Sequence, residues 1–304
     1  MTLAATKITP ARAWLLASRP ATLPAAAVPV VVGAAAAVSE GATFRPLVFG
    51  ATLICALLIQ IGTNFANDYS DFHRGADTAD RLGPLRVTQS GLMKQAQIRS
   101  GIAIAFGLAL IIGAGLAWIG GWPIVAIGAL SVASGLAYTG GPFPLGYHAL
   151  GDLFVFVFFG LVAVTGTAYL QTGSWSTFAL MMSVPIGLIA TAILVVNNLR
   201  DVATDRVAGK RTLAVRIGEP ATRVEYALFI VFAYIVPLAV ALMDPSRRPL
   251  LLTWTTFPLA LGLTRRVLGG TTGRDLNRVL KQTAKLLLYF GILLAFGGIL
   301  GRAA

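Results

Sequence analysis

Two clusters of carboxylates and carboxamides close two long apolar runs, and their spacing suits them to hold a cation. The first runs Asn64-Phe65-Ala66-Asn67-Asp68-Tyr69-Ser70-Asp71, with Asp77 and Asp80 following Gly75. Asn67 and Asp71 are four residues apart, on one face of a helix, and Asp68 borders that face. In the second cluster Asn197, Asp201 and Asp205 recur every four residues, a single stripe of oxygen ligands. A hard divalent cation such as Mg2+ takes one or two carboxylates together with substrate phosphates and water. No Cys/His set for zinc accompanies these residues. Basic residues stand beside both clusters: Arg81 and Arg86 after the first, Lys210 and Arg211 after the second. Lys and Arg bind phosphate oxygens directly. The chemistry these groups suit is capture of a metal diphosphate, with enough charge neutralised to ionise an allylic C–O bond.

The elements that must position them are membrane helices. Only 12% of the 304 residues are charged and 56% are hydrophobic. A soluble domain carries about 25% charged residues, so a soluble fold is excluded. Nine apolar runs are candidate spans, at 21–38, 46–67, 101–119, 123–139, 150–170, 176–199, 223–243, 249–268 and 283–301. The first contains Pro24 and Pro29, so a kink or a late start is expected there. The expected fold is all-α: one domain over 1–304, a polytopic membrane bundle of nine transmembrane helices. Two pseudo-repeated four-helix halves plus a ninth helix would make up that bundle. Cys55, the single cysteine, reads as an apolar filler.

The net charge of +12 does not point to nucleic acid, because the basic residues are partitioned by topology. The N-terminus and the loops after spans 2, 4, 6 and 8 hold twenty of the 24 Lys and Arg. Arg45, Arg247, Arg248 and Arg302 fall on the other side. The positive-inside rule then places the N-terminus in the cytoplasm and the C-terminus outside, in a multi-pass cell (inner) membrane protein. Spans 2 and 6 run the same way, so both acidic clusters reach the cytoplasmic boundary at one depth. Six of the twelve acidic residues lie in these two clusters, too many at one depth for ordinary interfacial solvation. Asp152, after Gly151 at the start of span 5, reads as a helix-capping carboxylate.

These strings resemble the UbiA superfamily of intramembrane aromatic prenyltransferases over essentially the whole chain. Asn67-Asp68 with Asp71 is similar to its Asn-Asp-x-x-Asp motif, and Asp201 with Asp205 to its Asp-x-x-x-Asp motif. Four strings resemble the branch that prenylates 1,4-dihydroxy-2-naphthoate. They are Arg19-Pro20-Ala21-Thr22-Leu23-Pro24, Asn67–Asp71 with Arg81–Arg86, Tyr138–Pro142 with Pro144–Tyr147, and Asn197–Asp201 with Gly209–Arg216. The superfamily often has a third acid where this chain has Gly75, and it often has a lysine after the tyrosine that Tyr138 matches. The resemblance implies Mg2+ held by Asn67, Asp68, Asp71, Asn197, Asp201 and Asp205. It implies polyprenyl diphosphate bound by Lys210, Arg211 and Arg86, with Asp71, Asp201, Asp205 and Lys210 as the catalytic set. Tyr138 would face the site, and Arg19 would receive the naphthoate carboxylate. Other acceptors of the superfamily (4-hydroxybenzoate, homogentisate, haem, chlorophyllide) remain alternatives, as does a transporter. The acidic string of the CDP-alcohol phosphotransferases is absent.

The topology is checked with reporters. A periplasmic reporter joined after Ala304 should be active and a cytoplasmic one silent, with the opposite outcome for fusions after Arg216.

Overall fold

In the computed structural model, which describes residues 8–75 and 82–301, the apolar runs become helices. Lys7, Asp77, Asp80, Arg81 and Arg302 lie outside the described residues. Helix α1 (Pro10–Ser18) starts where the Thr9 hydroxyl accepts the Arg12 N–H at 3.3 Å. It stops at Arg19, which adopts a left-handed conformation with φ of 50°. A 3-10 turn (Pro20–Thr22) leads into α2 (Leu23–Ser39). Thus the first membrane element starts late, as its prolines implied, but a separate short helix precedes it.

Helix α3 (Pro46–His73) carries the first cluster without a break. Then come α4 (Gln95–Gly120) and α5 (Trp122–Ala137). The next rod is composite: α6 (Gly151–Val155), a π-helical turn (Phe156–Val162) and α7 (Ala163–Thr172). Helix α8 (Thr177–Val207) carries the second cluster to its end. Helix α9 (Leu213–Met243) is interrupted at Gly218, which has non-helical dihedrals. After it come α10 (Phe257–Leu268) and α11 (Leu276–Leu300).

Among the described residues, seven stretches are long and apolar enough to cross a membrane, which makes this a multi-pass membrane protein. Two of the nine expected spans differ. The fourth, α5, has only 16 residues. The eighth is not one α-helix, because residues Pro245–Thr256 wind as a 3-10 helix before α10. Proline supplies no N–H at positions 245 and 249. The hydroxyls of Thr253, Thr255 and Thr256 donate to the carbonyls three residues back, at 2.6–2.8 Å, which reinforces the tighter turn.

Helix α8 is the axle. In its most apolar window 72% of residues are buried, against 11% for α3. Ile186, Ile189, Val195 and Val196 of α8 share one core with Tyr226 of α9 and Leu286 and Phe290 of α11. The π-helical turn crosses α8 glycine to glycine. A Cβ added at Gly160 would lie 2.6 Å from Gly187 Cα, which no rotamer relieves because the obstacle is backbone. Gly160→Ala should therefore destabilise the bundle by about 1–3 kcal/mol. Gly107→Ala, where a Cβ would meet nothing within 4 Å, should be neutral or slightly stabilising. Thermal midpoints in one detergent compare the two.

Candidate active site

The two acidic helices end side by side, and a lysine joins them. Gly209 takes φ of 72° just past the end of α8, closing a Schellman turn: its N–H donates to Arg206 O and the Lys210 N–H to Asp205 O, at 3.3 and 2.8 Å. This turn folds Lys210 back over the helix end. Its Nζ stands 3.2 Å from Asp71 Oδ1 on α3 and 4.0 Å from Asp205 Oδ1 on α8. Carboxylates 134 residues apart in sequence thus share one ammonium.

Asp71 is 1% exposed, and an uncompensated charge there would be prohibitive. Its Oδ2 accepts from Arg86 Nη2 at 2.6 Å, and its Oδ1 from the Tyr147 hydroxyl at 2.9 Å. Tyr147 in turn lies under two cations: Lys210 Nζ is 4.9 Å from its ring centre and the Arg74 guanidinium 5.5 Å. The Arg211 N–H donates to Tyr147 O at 3.0 Å, while the Arg211 side chain stays exposed. Arg74 also donates to the carbonyls of Thr139 and Gly141, which pins the Gly/Pro loop to the end of α3. Thr139 completes the join by donating to Asn67 Oδ1 at 2.8 Å.

The second cluster is braced by a residue that sequence reasoning had assigned to topology. Arg200 clamps its neighbour Asp201 through two nitrogens. It also donates to Asn197 Oδ1 at 2.9 Å and to Asn277 Oδ1 of α11 at 2.8 Å. Asn277 donates onward to Leu82 O at 2.9 Å, so α8, α11 and the loop leading to Arg86 are tied together. Arg200 was visible in the sequence only as part of the Asn197–Asp201 string, and Asn277 offered no signal. Thr139 and Tyr147 were visible only as parts of the Gly/Pro string.

Asp68 is placed differently from the expected ligand set. It is buried, and its two oxygens accept the N–H groups of Val87 and Thr88 at 3.2 and 3.3 Å. It organises the turn that delivers Arg86, while Asp71 faces the junction. Arg19 is half-buried. Asn64, one turn before Asn67 and Asp68, donates to Ser18 O and Thr22 Oγ1 at 3.0 and 3.2 Å, fixing the segment that carries Arg19. Asp152 stands in the first turn of α6, where the helix dipole favours a carboxylate, while the N-cap residue, Leu150, makes no side-chain capping bond.

Below the junction lies an apolar cavity of about 780 Å3 between α2, α3, α4, α5 and the α6–α7 rod. Asn64, Asn67 and Tyr138 stand at its polar end. It follows α3 from Asn67 to Thr52, roughly 22 Å of helix. Leu110 and Trp118 of α4 and Val125 of α5 line it and are also exposed on the outer surface, so it opens sideways there. The arrangement suits an amphiphile with a polyanionic head and a long apolar tail.

Among the described residues no three Asp, Glu, His or Cys side chains converge as a preformed metal site. The donors that do meet are all oxygen, and the Lys210 ammonium already bridges two of the carboxylates. That chemistry fits a hard cation arriving together with phosphate ligands. Asp71→Asn and Asp201→Asn keep side-chain shape and remove charge. Each should lower turnover on the order of 100-fold or more, and each should also lower the thermal midpoint, because it leaves a buried guanidinium, Arg86 or Arg200, without its carboxylate. Arg200→Lys cannot reproduce the two-nitrogen clamp. It should raise the divalent-cation concentration for half-maximal turnover about 10- to 100-fold, read from a cation titration.

Comparison with known proteins agrees with this geometry. The UbiA prenyltransferase family matches residues 26–300. A 1,4-dihydroxy-2-naphthoate octaprenyltransferase of Mycobacterium tuberculosis is 37% identical over 93% of this chain and 95% of its own length. The protein of the same name from Escherichia coli is 35% identical over 98% of both chains. Among solved structures, a UbiA homolog from Archaeoglobus fulgidus bound to GPP and Mg2+ superposes with a TM-score of 0.62. It covers 93% of this chain and 99% of its own at 13% identity, a likeness of fold. With its family matched from α2 to the end of α11, the chain belongs to the UbiA prenyltransferase family.

Proposed function

We propose that this enzyme transfers a polyprenyl group from polyprenyl diphosphate to 1,4-dihydroxy-2-naphthoate. Carbon dioxide is lost and demethylmenaquinol is formed, a step of menaquinone biosynthesis. The observation that carries the reading is the junction of Asp71, Lys210 and Asp205 at the head of an apolar cavity. The naphthoate acceptor is supported by full-length relatives that carry that activity in their names.

On this reading Asn67, Asp71, Asn197, Asp201 and Asp205 hold Mg2+ together with the diphosphate. The metal, when bound, neutralises the diphosphate and makes it a better leaving group. Lys210 and Arg86, now paired with Asp71, turn to the phosphate oxygens, and Arg211 reaches them from the rim. The prenyl chain lies in the cavity, whose walls keep water from the allylic cation. Phe154, Phe158 and Phe159 line that cavity and offer ring faces to the cation. Arg19 is the counter-ion for the naphthoate carboxylate. In the membrane, α5 and the 3-10/α10 rod also span, giving nine passes in two halves and a ninth helix. The site faces the cytoplasm.

The test uses purified protein in lipid nanodiscs, polyprenyl diphosphate, Mg2+ and a panel of aromatic acceptors. With carboxyl-labelled naphthoate, one equivalent of labelled carbon dioxide should appear per prenylated product, and product mass should lack the carboxyl group. Retention of that group, or a preference for 4-hydroxybenzoate, would sink the assignment.

A further inference from the structure

One carboxylate inside the bundle is not used by the diphosphate site. Asp152, at the start of α6, is 7% exposed, and its Oδ2 has no hydrogen-bond partner. Burying a carboxylate oxygen unanswered costs several kcal/mol, so a structural role would be better filled by an amide or an apolar group. Its electrostatic neighbour on α9 is another acid, Glu225, which makes the position still less suited to mere packing.

The group next to it is Tyr138. The Tyr138 ring lines the apolar cavity at its polar end. Its hydroxyl lies against the Gly151–Asp152 turn, only 2.9 Å from where a Cβ on Gly151 would sit. Gly146 leaves similar room, since a Cβ there would lie 3.2 Å from the same ring. Two glycines thus seat one tyrosine between the cavity and Asp152.

We propose that Tyr138 and Asp152 form a proton relay for the aromatic acceptor, with Tyr138 touching the acceptor and Asp152 acting through it as a positioning and proton-holding residue. The inference rests on the function proposed above and assigns its acceptor half-reaction. After diphosphate has left with the C–O electron pair, the acceptor hydroxyl beside the carboxyl-bearing carbon gives its proton to the Tyr138 oxygen. The Tyr138 proton passes to the Asp152 carboxylate through one bridging water, since no direct hydrogen bond joins the two side chains. The electron pair left on the acceptor oxygen drives the carboxyl-bearing carbon onto the allylic cation, forming the new C–C bond and a ring ketone. That ketone is β to the carboxylate. The bond to the carboxylate breaks, its electron pair moves to the ring oxygen, and carbon dioxide leaves. Asp152 then returns the proton through Tyr138, so none is consumed.

The test is steady-state kinetics of Asp152→Asn, Asp152→Glu and Tyr138→Phe in nanodiscs, with acceptors of graded hydroxyl acidity. Asp152→Asn should lower kcat on the order of 100-fold, while KM for polyprenyl diphosphate stays within about twofold. Acidic acceptors, which need less help to lose a proton, should recover most of that loss. Tyr138→Phe removes the relaying hydroxyl and should show the same dependence on acidity. Asp152→Glu should restore part of the rate. Equal slowing of all acceptors in Asp152→Asn, or wild-type kcat with the parent naphthoate, would overturn the relay. Failure of the wild-type protein to prenylate the naphthoate would overturn the functional reading instead.

Discussion

A carboxylate buried at the head of an apolar bundle has to be answered by cations, and much of the architecture around Asp71 serves that need. A lone charge at 1% exposure would cost several kcal/mol. Arg86 arrives on a loop whose turn is organised by Asp68. Lys210 arrives through the left-handed Gly209 that ends α8. Tyr147 arrives on the Gly/Pro loop, which Arg74 and Thr139 anchor to α3. Three separate loops converge because one side chain is charged. On the function proposed above, the same convergence would supply the polar head that exchanges its internal ion pairs for a metal and a diphosphate.

Below that head the logic reverses. The cavity is walled by apolar side chains from five parts of the chain, and its polar groups concentrate at the end nearest the acids. The tight glycine crossing of the π-helical turn on α8 places the α6–α7 rod, which supplies one wall of phenylalanines. Charge chemistry and hydrocarbon are thereby stacked along one axis, the order an amphiphilic substrate requires. At the boundary between them stand Asn67 and Tyr138.

Residue type alone did not separate the roles of like side chains. Asp68 and Asp71 are three residues apart on one helix. One binds backbone amides and the other binds side-chain cations. Arg200 looked like a charge that merely records topology, yet it orients Asp201 and reaches α11 through Asn277. The eighth element looked apolar enough for an α-helix, but two prolines and three hydroxyls turned its first half into a 3-10 helix. In each case the deciding partner is a backbone group or a residue far along the chain.

The sequence by itself determined which segments are apolar, which side holds the positive charge, and which two helices end in oxygen ligands. Those are local properties, written in composition and in a four-residue period, and they were enough to recognise the family. Tertiary structure alone decided that Lys210 bridges Asp71 and Asp205, that Arg86 meets Asp71, and that the Tyr138 hydroxyl is seated against Gly151. These depend on where a left-handed turn points a side chain and on how closely two glycine surfaces let helices approach. Neither can be read from one stretch alone: Gly209 fixes its turn locally, but the Asp71 that its lysine meets lies on another helix, and Gly160 meets a glycine of α8.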